Sequence, residues 1–80
     1  MKHPFRKKWG QNFLRDPNIT RKIISCLKLD ENDVILEIGP GDGALTDKMH
    51  EKVHHIHAVE IDPLLITYLT EKAFFNVSLY

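Results

Sequence analysis

The sequence has a single cysteine, Cys26, in 80 residues. One thiol forms no internal disulfide, so the chain is no disulfide-stapled mini-protein. A reducing, cytoplasmic setting fits this usage. No apolar run approaches the ~18 residues of a membrane-spanning helix. The basic stretch Met1 to Gln11 has no apolar segment behind it, which excludes a secretory signal. Glycine and proline number four each, too few for a collagen-like or low-complexity chain. What remains is ordinary: 42% hydrophobic and 28% charged residues. That is the composition of a folded chain, not a disordered one. The length allows at most one small domain, which buries only a little over ~60% of its unfolded surface.

The formal net charge is zero, but it is unevenly spread. Lys2, Arg6, Lys7, Lys8, Arg15, Arg21, Lys22 and Lys28 face only Asp16 within residues 1–28. Residues 29–80 reverse the balance, with three lysines (Lys48, Lys52, Lys72) against ten carboxylates. A basic arm on an acidic body points to an anionic partner, nucleic acid above all. A solvated, charge-rich surface is the plainer alternative.

Residues 1–15 have no clean period and read as an arm. Asp16-Pro17 is a helix start, with Asp as cap and Pro at a position whose N–H is unpaired anyway. Ile19, Ile23, Ile24 and Leu27 then share one face of a helix running to about Lys28. Cys26 is expected at the core or its boundary. Val34 to Ile38 is a short apolar run that predicts a strand buried on both faces, as in parallel sheets. Gly39-Pro40-Gly41-Asp42-Gly43 breaks it. A helix is expected from Ala44 to about Glu51, then a strand from Val53 to Ile61. Asp62-Pro63 repeats the capping device, and Leu64, Leu65, Tyr68 and Leu69 form the face of a third helix. Asn76 to Tyr80 begins a third strand. Strands alternating with helices predict an α/β fold with a parallel sheet.

The Gly-rich turn carries the chemical signal. Glycines let a ligand approach the backbone without meeting a Cβ, and the following helix offers free N–H groups. Glu60 lies 21 residues after Gly39, at a strand end where a carboxylate can accept ribose hydroxyls. Residues 39–44 satisfy the permissive dinucleotide pattern G-x-G-x-x-A. Residues 37–43 also fit the E-x-G-x-G-x-G loop of S-adenosylmethionine-dependent methyltransferases. Glu37 tips the choice toward the second. A carboxylate there suits a cationic aminoacyl ligand, whereas a pyrophosphate gains nothing from it. Pro40 also removes one amide from an anion cradle. His50, His54, His55 and His57 lack the accompanying ligands of a zinc pattern, so no metal is expected. His55 and His57 should share a strand face, with His54 opposite.

Lys7-Lys8-Trp9-Gly10-Gln11-Asn12-Phe13-Leu14 resembles the F-G-Q-N-F-L signature of the small-subunit ribosomal RNA adenine N6-dimethyltransferases, with Trp9 in place of the usual Phe. Glu37 to Thr46 is similar to that family's cofactor loop, and Val59-Glu60-Ile61-Asp62 to its second-strand motif. The three motifs keep the family's order and spacing over residues 7–63. Gly10 favours this family over the erythromycin-resistance rRNA methyltransferases, which usually have Ser there.

The resemblance implies the first half of a Rossmann-like methyltransferase fold with S-adenosylmethionine as cofactor. It implies an arm over residues 1–15 and the N-terminal part of a catalytic domain over 16–80. Asn12 and Leu14 would line the methionine and sulfonium end, Gly39 would approach through its backbone, and Glu60 would hold the ribose. Gln11, Glu37 and Gly41 would be further contacts. Arg6, Lys7 and Lys8 would meet RNA. The implied reaction is methylation of the N6 amines of two adjacent adenosines near the 3′ end of small-subunit (16S) rRNA. The implied partner is the immature pre-30S particle, bound by a cytoplasmic monomer. No catalytic residue is expected within these 80, because the family's Asn/Asp-Leu-Pro-Tyr/Phe motif does not occur here. Alternatives are an NAD-binding oxidoreductase fragment and a non-catalytic ribosome-assembly binding module.

Overall fold

A computed structural model describes residues 16–80. Helix α1 spans Pro17–Leu27. The Asp16 side chain caps it by accepting from the Asn18 N–H at 2.9 Å, with Pro17 in the first turn. Strand β1 is Val34–Ile38. Helix α2, Ala44–Met49, tightens into a 3-10 turn at His50–Lys52. Strand β2 is His55–Val59 and helix α3 is Pro63–Lys72. Asp62 caps α3 as Asp16 caps α1, accepting from the Leu64 N–H at 2.9 Å. Strand β3 is Val77–Leu79. Element type and order thus follow the sequence reading. The second strand is shorter than expected, because the 3-10 turn takes the chain as far as Lys52.

The sheet has the order β1-β2-β3 with both pairs parallel. Val34 lies opposite His55 and Ile38 opposite Val59, while Ile56 pairs with Val77 and Ala58 with Leu79. Every strand therefore ends on the same edge. Parallel strands need crossovers of a dozen or more residues, which the helices supply.

The core sits on one face of this sheet. Ile56 and Ala58 are fully buried there with Met49, Val53 and Ile24, and Ile35, Leu29, Leu45, Val77 and Leu79 pack against them. Leu65 and Leu69 of α3 are buried as well. Among the described residues no core forms on the opposite face. Val34, Leu36 and Ile38 are 58%, 66% and 71% exposed. This corrects the expectation that β1 is covered on both sides. An apolar run records that both faces avoid water in the finished fold, yet among the described residues the core forms on one side only. The outer edge of β1 pairs with no strand among the described residues.

Three further expectations change. Leu27 is half-exposed and Cys26 is exposed, while Thr20 takes a buried place on α1. The Thr20 hydroxyl is accommodated by donating to the Asp16 carbonyl at 3.1 Å. Leu64 and Tyr68 of α3 stay exposed, so its buried stripe narrows to Leu65 and Leu69. Asn76, read only as a strand start, is buried and its amide donates to the carbonyls of His50, Val53 and His54. It ties the turn before β2 to the start of β3. No helix among the described residues is long and apolar enough to cross a membrane.

Candidate functional site

The site forms where β1 and β2 end. Gly39, Gly41 and Gly43 all adopt positive φ, at +68°, +63° and +88°. Side chains with a Cβ rarely hold this conformation, so three left-handed residues in five need glycine. The Gly39 N–H donates to the Val59 carbonyl at 2.8 Å, which carries the parallel ladder one step past β1. The Gly43 N–H closes a turn onto the Pro40 carbonyl at 2.9 Å. Gly43 then caps α2 from outside. A Cβ at Gly43 would stand 2.8 Å from Leu69 Cδ2, whereas a Cβ at Gly39 would meet nothing within 4 Å. One glycine is needed for packing and the other leaves open space beside the backbone.

Glu60 follows β2 and is buried, at 6% exposure. Its Oε1 accepts from the Gly41 N–H at 3.1 Å and its Oε2 from the Asp62 N–H at 3.0 Å. The carboxylate thus bridges the glycine loop to the start of α3. Asp62 acts as the helix cap, as read from the sequence. An ionised carboxylate offers roughly four acceptor positions, so two remain for hydroxyl donors.

Glu37 stands on β1, half-buried, and Thr46 donates to its Oε1 at 2.5 Å. Burial pushes the Glu37 carboxyl above its usual value of 4.5, and the Thr46 hydroxyl offsets part of that rise. A buried carboxylate needs a donor or a cation beside it. Thr46 itself is 1% exposed. Sequence reasoning missed it, although a threonine among the apolar residues Leu45 and Met49 was a signal that a buried partner existed.

Four of the predicted site residues, Glu37, Gly39, Gly41 and Glu60, are thus brought to one edge of the sheet. Gln11, Asn12 and Leu14 lie outside the described residues, as do Arg6, Lys7 and Lys8. His55 and His57 share one strand face as expected, their ring centroids 4.8 Å apart, whereas His54, expected on the opposite face, lies before β2 begins. His55 Nε2 shares a hydrogen bond with Ser78 Oγ at 2.8 Å, and His57 Nδ1 with the Tyr80 hydroxyl at 2.7 Å. These contacts tie β2 to β3. Among the described residues no three ligating side chains gather around a common point.

The arrangement fits a nucleoside-containing cofactor. It has open space at Gly39, a buried carboxylate with spare acceptor positions, and an acidic group on the neighbouring strand. A family model for ribosomal RNA adenine dimethylase matches residues 2–79. The chain belongs to the ribosomal RNA adenine dimethylase family. A ribosomal RNA small subunit methyltransferase A from Aromatoleum aromaticum is 51% identical over 70 residues, covering 88% of this chain and 26% of the relative. A dimethyladenosine transferase from Plasmodium falciparum superposes with a TM-score of 0.75 at 29% identity, over 80% of this chain and 25% of that one. The 23S rRNA methyltransferase ErmE gives a TM-score of 0.77 at 33% identity, over 85% of this chain and 29% of that one. The fold is accordingly part of the Rossmann-like methyltransferase fold, with its parallel strands alternating with helices. The chain spans about a quarter of the length of the curated relatives it matches.

Proposed function

We propose that this chain supplies the cofactor-holding part of an S-adenosylmethionine-dependent rRNA adenine N6-dimethyltransferase. The observation that carries the reading is the bridge from Glu60 to Gly41 across a left-handed glycine turn at the carboxyl edge of a parallel sheet. Ligands in open α/β sheets bind at that edge. The finer target is a pair of adjacent adenosines near the 3′ end of small-subunit (16S) rRNA in the pre-30S particle. The names of the curated relatives support the small-subunit assignment. So does Gly10, where the erythromycin-resistance sequences usually have Ser. The chain acts in the cytoplasm as a monomer, with residues 1–15 as a basic arm and 16–80 as part of the catalytic domain.

When bound, S-adenosylmethionine supplies a methyl group made electrophilic by its sulfonium. Glu60 accepts the ribose hydroxyls with the positions that Gly41 and Asp62 leave free. Gly39 admits the ligand against its backbone. Glu37 opposes the positive charge of the aminoacyl group by way of water. Asn12 and Leu14 line the methionine end, with Gln11 and Gly41 nearby. Arg6, Lys7 and Lys8 meet RNA phosphates, an electrostatic role that weakens with salt. The target base leaves its stack to react, and none of these 80 residues is assigned to holding it. Positioning is the main catalytic contribution of such a site.

The test is methyl transfer from labelled S-adenosylmethionine to undermethylated small subunits by the full-length protein. Label in N6-dimethyladenosine at two adjacent positions is the expected result. Subunit binding with no label in adenine would leave only an assembly role. Titration with NADH and with S-adenosylhomocysteine decides the cofactor: binding of the first and not the second refutes the reading.

A further inference from the structure

Four polar residues are buried among the described ones: Thr20, Thr46, Glu60 and Asn76. Three of them satisfy backbone groups. Thr20 donates to a carbonyl, Asn76 donates to three, and Glu60 accepts from two amides. Thr46 instead bonds a side chain, across nine residues and the whole glycine loop.

The contrast with the other threonines is sharper. Thr20, Thr67 and Thr70 each donate to the carbonyl four residues back, at 3.1, 3.1 and 2.7 Å. That is the ordinary resting place of a helical threonine hydroxyl. Thr46 is the third residue of α2, so the carbonyl four back lies outside the helix, and its hydroxyl reaches Glu37 on the neighbouring strand instead. Glu37 Oε2 accepts no hydrogen bond from the described residues. One carboxylate oxygen is therefore anchored from below the loop and the other is left for a ligand.

We propose that Thr46 is a positioning residue of the cofactor site, holding the Glu37 side chain oriented beneath the glycine loop. The proposal rests on the reading that Glu37 serves the cofactor's cationic end. Burial opposes the charge on Glu37, and the Thr46 hydroxyl is the donor that offsets part of that effect. Without that hydroxyl the carboxyl titrates higher, and as pH falls a larger share of the protein presents a neutral acid to a cationic ligand.

The experiment compares full-length wild type with Thr46→Val, Thr46→Ser and Glu37→Gln. Valine matches the shape of threonine without the hydroxyl. Calorimetry with S-adenosylhomocysteine between about pH 5 and 8 reads affinity, and carboxyl-carbon NMR reads Glu37 without ligand. For Thr46→Val the expected loss is roughly tenfold at the acidic end, or ~1.4 kcal/mol, narrowing as pH rises. The Glu37 titration should move upward. Thr46→Ser should restore both affinity and midpoint. Glu37→Gln keeps an acceptor for Thr46, folds on the same grounds, and should flatten the pH dependence of affinity. An unchanged Glu37 midpoint in Thr46→Val overturns the proposal, as does a pH dependence that survives Glu37→Gln. Failure of wild type to bind S-adenosylhomocysteine refutes the cofactor reading itself, and this proposal with it.

Discussion

Replacing Gly43 with alanine is expected to destabilise the protein by about 2–4 kcal/mol, and replacing Gly39 by only about 1 kcal/mol. Both glycines have positive φ. Left-handed backbone costs a residue with a Cβ roughly 1–2 kcal/mol. Alanine also stiffens the unfolded chain, which returns about 0.4–1 kcal/mol. Strain alone therefore leaves the small figure for Gly39, where the new methyl meets open space. At Gly43 the methyl stands 2.8 Å from Leu69 Cδ2. That atom ends a side chain, but Leu69 is 1% exposed and has little room to turn. Overpacking of this kind adds about 1–3 kcal/mol. Urea denaturation of the two variants, followed by circular dichroism, measures the difference directly. Equal destabilisation of both would refute the assignment of Gly43 to packing and Gly39 to ligand approach. The affinities form the complement: Gly39→Ala should weaken S-adenosylhomocysteine binding while lowering the unfolding midpoint less than Gly43→Ala does.

Glu60→Ala is expected to weaken cofactor binding by roughly 1–3 kcal/mol, the scale of leaving polar partners unpaired, and unchanged affinity in calorimetry removes Glu60 from the site. Asp16→Ala and Asp62→Ala each remove a helix cap seen at 2.9 Å. Each should lower stability by about 1 kcal/mol, as read from denaturation midpoints. Glu37 gives a pH dependence of defined sign. Its folded-state pKa is raised above 4.5, first by burial, so the folded chain holds its proton longer than the unfolded one. The associated stability is complete below 4.5 and is lost as pH rises through the raised value. Relative to Glu37→Gln, wild type should therefore lose stability on going from pH 4 toward neutrality, and a constant difference across that range would contradict it.

Local chemistry made much of the fold legible. Each Asp-Pro pair announces a helix because a carboxylate and a missing N–H solve the same end problem. The run Val34–Ile38 ends where three left-handed glycines begin. What periodicity could not rank was burial within a face. Ile24 is buried and Leu27 is half-exposed on the same stripe, because the neighbours of α1 cover only part of it. Glu60 was readable from its distance to Gly39, since a parallel βαβ unit has a nearly fixed length.

The sequence by itself determined the element order, the two caps, the glycine turn and the two acids at strand ends. Each of these depends on neighbours within a few residues or on the length of one βαβ unit. Tertiary structure decided how those acids are used. Only when β1 and β2 align in register does Glu60 reach the Gly41 N–H, and only when α2 packs against the sheet does Thr46 meet Glu37. It also decided that, among the described residues, one sheet face is packed and the other exposed, because a strand's own composition cannot say which neighbours cover it.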